Sequence, residues 1–329
     1  MRPVSRRQFI AGAAFLLGAH AVARGQNAGV RKIGVLMPST AASTSNLTVA
    51  LEQGFRELGY VIGRDLNLEY RYSGAGSDAM ATLARDLART GVAVIVTTTD
   101  PVVRTVAQHT ADIPVVMVNV SDAVGNGLVT SLAQPGGKVT GLTNLSPEIT
   151  AKRVELLRDC VPALKGFVYL WNPGIGGARE VFNEAEGAAR RLGLRLQSAE
   201  VASAADIRAA FSRLSASGAN GLVVQAPNPM LYTERALICR LANDARLPSM
   251  FNRVEYVSAG GLISYGPDIP AMYRRAAFYV DRILKGAQPA TLPVEQPTKF
   301  ELAINVRTAH GLGIEIPQGM AARADRIIN

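Results

Sequence analysis

Val92-Ala93-Val94-Ile95-Val96-Thr97-Thr98-Thr99-Asp100-Pro101 decides the architecture. Val92 to Thr98 is a β-branched run, apolar on both faces, as expected of a strand buried inside a parallel sheet. Asp100-Pro101 then opens a helix. The aspartate is expected as its N-cap, and the proline sits in the first turn, where a missing N–H costs nothing. A buried strand leaving through polar residues into a helix is half of a βαβ unit.

The same alternation extends in both directions. Upstream, Lys32 to Met37 reads as a strand with Pro38-Ser39-Thr40 at its exit. Leu47, Leu51, Phe55 and Leu58 recur at helical spacing before Gly59. Leu66 to Tyr72 alternates as a strand, and Ser77 to Arg89 reads as a helix capped by Ser77. Downstream, Pro114 to Val120 is the next strand. A second block follows: helix Ile149 to Arg158, strand Gly166 to Trp171, helix Ala178 to Leu192, strand Leu194 to Ala199 and helix Ala204 to Ala216. Strand Gly221 to Gln225, helix Thr233 to Ala245 and strand Pro248 to Phe251 complete it. Strands alternating with helices of this length predict parallel sheets between helical layers. Two blocks meeting near residues 139 to 147 predict an α/β protein of two doubly wound lobes.

Composition narrows the function. The chain has 329 residues, 48% hydrophobic and 19% charged, enough for two cores and unlike a disordered chain. The net charge of +9 comes from basic residues in runs no longer than two, with only 6% aromatics. Nucleic-acid surfaces cluster their basic residues, so no nucleic-acid partner is expected. Two cysteines, Cys160 and Cys239, and three histidines form no cluster at metal-ligand spacing. No metal or cofactor is expected, and the cysteines read as buried, unpaired residues.

Nucleotide and catalytic motifs fail on particular residues. Gly174-Ile175-Gly176-Gly177 follows a strand and precedes a helix, but Arg179 stands where a dinucleotide loop needs glycine. Gly136-Gly137-Lys138-Val139 lacks the Ser or Thr that follows the lysine of a P-loop. There is no G-x-S-x-G elbow. Without a concentrated acid, base or nucleophile set, no enzyme is expected.

The polar strand exits suit a small ligand instead, because doubly wound sheets bind beyond the carboxyl ends of their strands. The candidates are Ser39 and Thr40, Thr98, Thr99 and Asp100, and Ser121 and Asp122. From the second block come Asn172, Gln225 and Asn228, joined by Asn144 and Asn252. Each also suits a helix cap or turn, the alternative role. Asp122 or Asp100 is the candidate partner of a ligand amine. Open helix N-termini favour a carboxylate.

At the front, Ser5-Arg6-Arg7-Gln8-Phe9-Ile10 precedes an apolar stretch from Phe9 to Ala23. Adjacent arginines before a short apolar region predict a twin-arginine export signal over residues 1–23, with cleavage after Ala23 in Ala21-Val22-Ala23. Retention as a membrane anchor is the alternative.

A family resemblance rests on several runs. They are Asn119-Val120-Ser121-Asp122 and Leu128 to Thr143; Ala151-Lys152-Arg153; Gly260-Gly261-Leu262-Ile263-Ser264-Tyr265-Gly266-Pro267; Arg274-Arg275-Ala276-Ala277; and Ala322-Arg323-Ala324-Asp325. The most specific is Leu292-Pro293-Val294-Glu295-Gln296-Pro297-Thr298-Lys299-Phe300-Glu301-Leu302. The chain resembles the substrate-binding proteins of ABC importers with a type 1 periplasmic-binding fold. It departs from them at Ala123, where relatives commonly carry proline, and in the loop of Gly174 to Gly177.

The resemblance implies two lobes joined by three crossing segments, with the ligand in the cleft between them. One lobe would comprise 30–143 plus about 264–298, the other 144–263 plus about 299–329. It implies an ABC permease and its ATPase as partners, and an amino acid, aromatic ones included, or a related carboxylate as ligand. Tyr265 is a further candidate near a crossover, with a core position as the alternative. A monomeric periplasmic protein without a membrane-spanning segment in its mature chain is expected. A receptor module for a sensor, or an exported α/β enzyme, are the other readings.

Overall fold

The computed structural model describes residues 30–74, 79–213 and 218–329. The export signal and Ser77 lie outside these residues. The first sheet is built from β1 (Arg31–Met37), β2 (Leu66–Tyr72), β3 (Val94–Thr98), β4 (Val115–Val120) and β5 (Val139–Thr143). All its pairings are parallel, in the order β2–β1–β3–β4–β5. β3 and β4 are wholly buried, which is why their sequences run apolar on both faces. The junction expected near 139 to 147 contains β5, which closes this sheet.

Helices α1 (Ala41–Glu57), α2 (Ala79–Arg89) and α3 (Asp100–His109) flank the first sheet. A later helix, α10 (Ile269–Leu284), packs closely on α1. Gly54 makes this possible, because a Cβ there would meet the Arg274 carbonyl oxygen at 2.2 Å. Glycine inside a helix costs about 1 kcal/mol against alanine. The close approach is what it permits.

The second sheet contains β6 (Gly166–Trp171), β7 (Arg195–Glu200), β8 (Leu222–Val224), β9 (Ser249–Phe251), β10 (Ile263–Pro267), β11 (Phe300–Asn305) and β12 (Arg326–Ile328). Its order is β12–β11–β10–β9–β8–β6–β7. Every pairing is parallel except β10 with β11. α4 (Ser146–Cys160), α5 (Ala178–Arg191), α6 (Ala204–Arg213), α7 (Pro229–Thr233), α8 (Arg235–Asp244), α9 (Val254–Ser258), α11 (Val306–Leu312) and α12 (Gln318–Ala321) accompany it. The helix expected over Thr233 to Ala245 is α8, preceded by the short helix α7. Asn228 caps α7, its Oδ1 accepting from Leu231 N at 3.1 Å, so helix starts at Pro229 and breaks at Glu234.

The chain crosses between the sheets three times: after β5, between β10 and α10, and before β11. Before the last crossing, Glu295 bridges to Leu142 beside β5. Cys160 and Cys239 are free thiols buried in separate hydrophobic clusters. Burial pushes them up to about 11 and about 12 respectively, so they pack as apolar groups.

Candidate ligand-binding cleft

Strand ends of both sheets meet in a cleft with about 520 Å³ of empty space, open solvent included. From the first lobe come Met37, Pro38 and Ser39 at the end of β1, Thr98 and Thr99 at the end of β3, and Asn119 on β4. Thr44 and Leu47 of α1 and Tyr273 of α10 complete that wall. The second lobe supplies Pro227, Asn228 and Pro229 after β8, Tyr232 of α7, Asn252 and Arg253 after β9, and Tyr256 of α9.

Two backbone positions in this lining are strained. Thr99 has φ 62° and Asn119 φ 60°, both left-handed. A β-branched residue pays about 1–3 kcal/mol for such a conformation, and such residues collect at binding sites. The Thr99 hydroxyl makes no capping bond to α3 although the residue is 4% exposed. Asn119 is held by Asn144, whose Nδ2 donates to Asn119 Oδ1 at 2.6 Å. Tyr273 donates to Met37 Sδ at 3.5 Å, and burial pushes its hydroxyl up to about 12, so it stays neutral.

The opposite wall carries charge and rings. Arg253 donates from Nε to Glu255 Oε2 at 3.1 Å and from Nη2 to Glu255 Oε1. Its guanidinium carbon lies 4.0 Å from the Tyr232 ring centroid. Tyr232 meets Tyr256 edge-on, and Tyr256 stacks on Phe251 at 4.5 Å. Burial opposes the charge on Arg253, but Glu255 outweighs it and raises the guanidinium above its ordinary value. Burial likewise pushes Glu255 up, yet Arg253 and the hydrogen bonds it accepts lower it overall. Both groups are therefore ionised.

Of the residues expected from sequence, Ser39, Thr98, Thr99, Asn228 and Asn252 line the cleft. The others lie outside this lining. Thr40 caps α1, its Oγ1 accepting from Ser43 N at 3.3 Å. Asp100 does not occupy the N-cap position of α3, which belongs to Thr99. Its buried carboxylate instead accepts from Ser121 N at 3.0 Å, Ser121 Oγ at 2.8 Å and Asn126 Nδ2 at 2.7 Å. Burial raises its pKa, partly offset by the bonds from Ser121. Asp122 Oδ1 accepts from Val124 N at 3.1 Å and Gly125 N at 2.8 Å, closing the turn after β4.

In the second lobe, Gln225 Oε1 accepts from Asn172 N and from Asn228 Nδ2, fixing the Asn228 side chain. The Asn172 Oδ1 accepts from Gly174 N. The Tyr265 ring stacks on Phe300, and its carbonyl accepts from Arg153. Sequence reasoning missed Arg253 and the three tyrosines. Arg253 was reachable by the rule that found Asn252, since both directly follow β9. Tyr256 and Tyr273 sit on helices at 1% exposure, where their spacing reads as core.

The family profile described as ABC transporter substrate binding protein matches residues 32–328. The chain belongs to this family. A crystal structure of a conserved domain protein from Vibrio cholerae is similar over 91% of this chain and 100% of that one, with TM-score 0.85 and 28% identity. The ABC domain in complex with L-Trp from Streptococcus pneumonia matches over 91% of this chain and 100% of that one, with TM-score 0.84 and 25% identity. A tyrosine-binding protein of Clostridioides difficile is 23% identical over 291 residues, 88% of this chain and 81% of its own length. The two parallel-sheet lobes are those of type 1 periplasmic-binding proteins. As a substrate-binding protein the chain serves an ABC transporter and takes a small-molecule ligand. Among the described residues no helix is long and apolar enough to cross a membrane, and no group of acidic, His or Cys side chains is placed to hold a metal.

Proposed function

We propose that this chain is the exported, non-enzymatic binding component of an ABC importer, and that it closes on an aromatic amino acid or related carboxylate. The observation that carries this reading is the cleft lining. Strand-end hydroxyls and amides, Ser39, Thr98, Thr99, Asn119 and Asn228, share one cleft with Tyr232, Tyr256 and Tyr273. The N-termini of α1 and α3 open beside Ser39 and Thr99 and add positive field to the cleft, which favours an anionic ligand. The rings of Tyr232, Tyr256 and Tyr273 offer faces for an aromatic group. The tyrosine-binding relative and the L-Trp complex point the same way.

On this reading the ligand is held between 30–143 plus about 264–298 on one side and 144–263 plus about 299–329 on the other. Residues 1–23 direct export to the periplasm by the twin-arginine route and are removed after Ala23. The mature protein works as a monomer that delivers its ligand to a permease driven by an ATPase, and nucleic acid is no partner. A thermal-shift screen of amino acids and aromatic acids tests the reading. A ligand at a hundredfold excess over Kd adds about 2.7 kcal/mol to stability, so the melting point rises by several degrees. Rises confined to sugars or to metal ions would refute it.

A further inference from the structure

Three observations converge on Arg253. It is the one charged side chain lining the cleft among the described residues, and no Asp or Glu lines it. Its partner Glu255 lines an adjoining cavity beside the crossing into α10, which Asn252 and Arg253 line as well. The Arg253 side chain is only 9% exposed, held in place by Glu255 through Nε and Nη2 and by the face of Tyr232. Nη1 takes no part in that ion pair. A second guanidinium, Arg235, lies 4.6 Å from the same Tyr232 ring centroid, which adds to the positive field on this wall.

Resting on the function proposed above, we propose that Arg253 receives the ligand's carboxylate through Nη1, and that the cleft selects an aromatic organic anion for which an α-ammonium is dispensable. A carboxylate arriving there exchanges hydration for charge-assisted hydrogen bonds from a donor that is already immobilised. The guanidinium plane suits that oxygen pair better than a point charge does. An ammonium in the same space finds hydroxyl and amide oxygens and ring faces, but no carboxylate, and it stands beside a cation. Its desolvation is therefore poorly compensated. Asp100 and Asp122 do not change this, because their carboxylates are engaged by Ser121, Asn126 and the amides of Val124 and Gly125.

The test uses calorimetric titration with four probes sharing one ring system: L-tryptophan, indole-3-propionate, indole-3-propionamide and tryptamine. The expected order places indole-3-propionate within about tenfold of L-tryptophan, with the propionamide and tryptamine each weaker by at least about tenfold. In Arg253→Gln the preference for propionate over propionamide collapses, and in Arg253→Lys it is partly retained. Melting curves verify that both variants fold. That ratio separates recognition from support, since an arginine that only braces Glu255 would weaken acid and amide alike and leave the ratio intact. An unchanged ratio overturns the proposal. L-tryptophan binding with indole-3-propionate more than about a hundredfold weaker overturns it too, while the function above stands. If neither these four nor L-tyrosine binds the unaltered protein, the proposed function falls and this assignment falls with it; where L-tyrosine alone binds, 3-(4-hydroxyphenyl)propionate, its amide and tyramine take the place of the indole probes.

Discussion

Asn46 and Glu255 meet across the cleft: Asn46 Nδ2, on α1 of the first lobe, donates to Glu255 Oε1, on α9 of the second, at 3.0 Å. Glu255 thereby touches both the opposite lobe and the cleft cation Arg253. On the proposal above, ligand recognition and lobe closure share this carboxylate.

Asn46→Ala removes this link without touching the lining. A hydrogen bond to a charged group is worth about 1.5–3 kcal/mol, less at an exposed site such as this one. Affinity is expected to fall about three- to tenfold, chiefly through faster dissociation. Stopped-flow release kinetics check it. An unchanged dissociation rate would show that the bond plays no part in holding the lobes closed.

Gly177 lies at the second interlobe contact. Its φ is 80°, and a Cβ there would sit 2.7 Å from Ser121 Oγ in the other lobe. Gly177→Ala therefore meets two penalties, backbone strain of about 1 kcal/mol and a collision present only when the lobes are closed. Gly59→Ala serves as the control, since φ is 87° there with open space around it. Both variants should melt lower, and only Gly177→Ala should lose affinity, by tenfold or more. Equal affinities would place the closed arrangement elsewhere.

The fold was legible where burial leaves a local mark. Val94–Thr98 and Val115–Val120 are central strands, so their apolar runs announce them. The antiparallel pairing of β10 with β11 and the bridge of Leu142 to Glu295 leave no such mark, because each joins segments far apart in sequence. In the cleft, the rule of polar strand exits reached Ser39, Thr98, Thr99, Asn228 and Asn252. It could not separate Thr99 from Asp100, since the left-handed backbone at Thr99 decides which neighbour meets the cleft and which turns toward Ser121.

Asp122→Ala tests that division of labour. Its carboxylate accepts from two turn amides, so its loss should cost about 1 kcal/mol of stability. Affinity should remain within about twofold. A tenfold loss of affinity in a protein with an unchanged melting point would make Asp122 a ligand contact.

The Arg253–Glu255 pair also fixes a pH dependence. Glu255 titrates below its ordinary value of 4.5 in the folded protein. Its stabilisation is therefore complete above that ordinary value and is lost as pH falls through the lowered one. Glu255→Gln strands Arg253 and should destabilise near neutral pH by about 3–5 kcal/mol, the cost of breaking a buried pair. That gap to the unaltered protein should narrow at a second, acidic pH well below the ordinary value of 4.5. Urea unfolding at both pH values measures it, and a gap independent of pH would remove Glu255 from the balance.

The most direct measurement is calorimetric titration of the purified protein with L-tyrosine and L-tryptophan. The account predicts saturable one-to-one binding of at least one of them, with Kd of about micromolar or tighter. It also predicts a negative heat-capacity change as the tyrosine wall is covered. Absence of saturable heat from both, in protein that is folded and free of prior ligand, would contradict it.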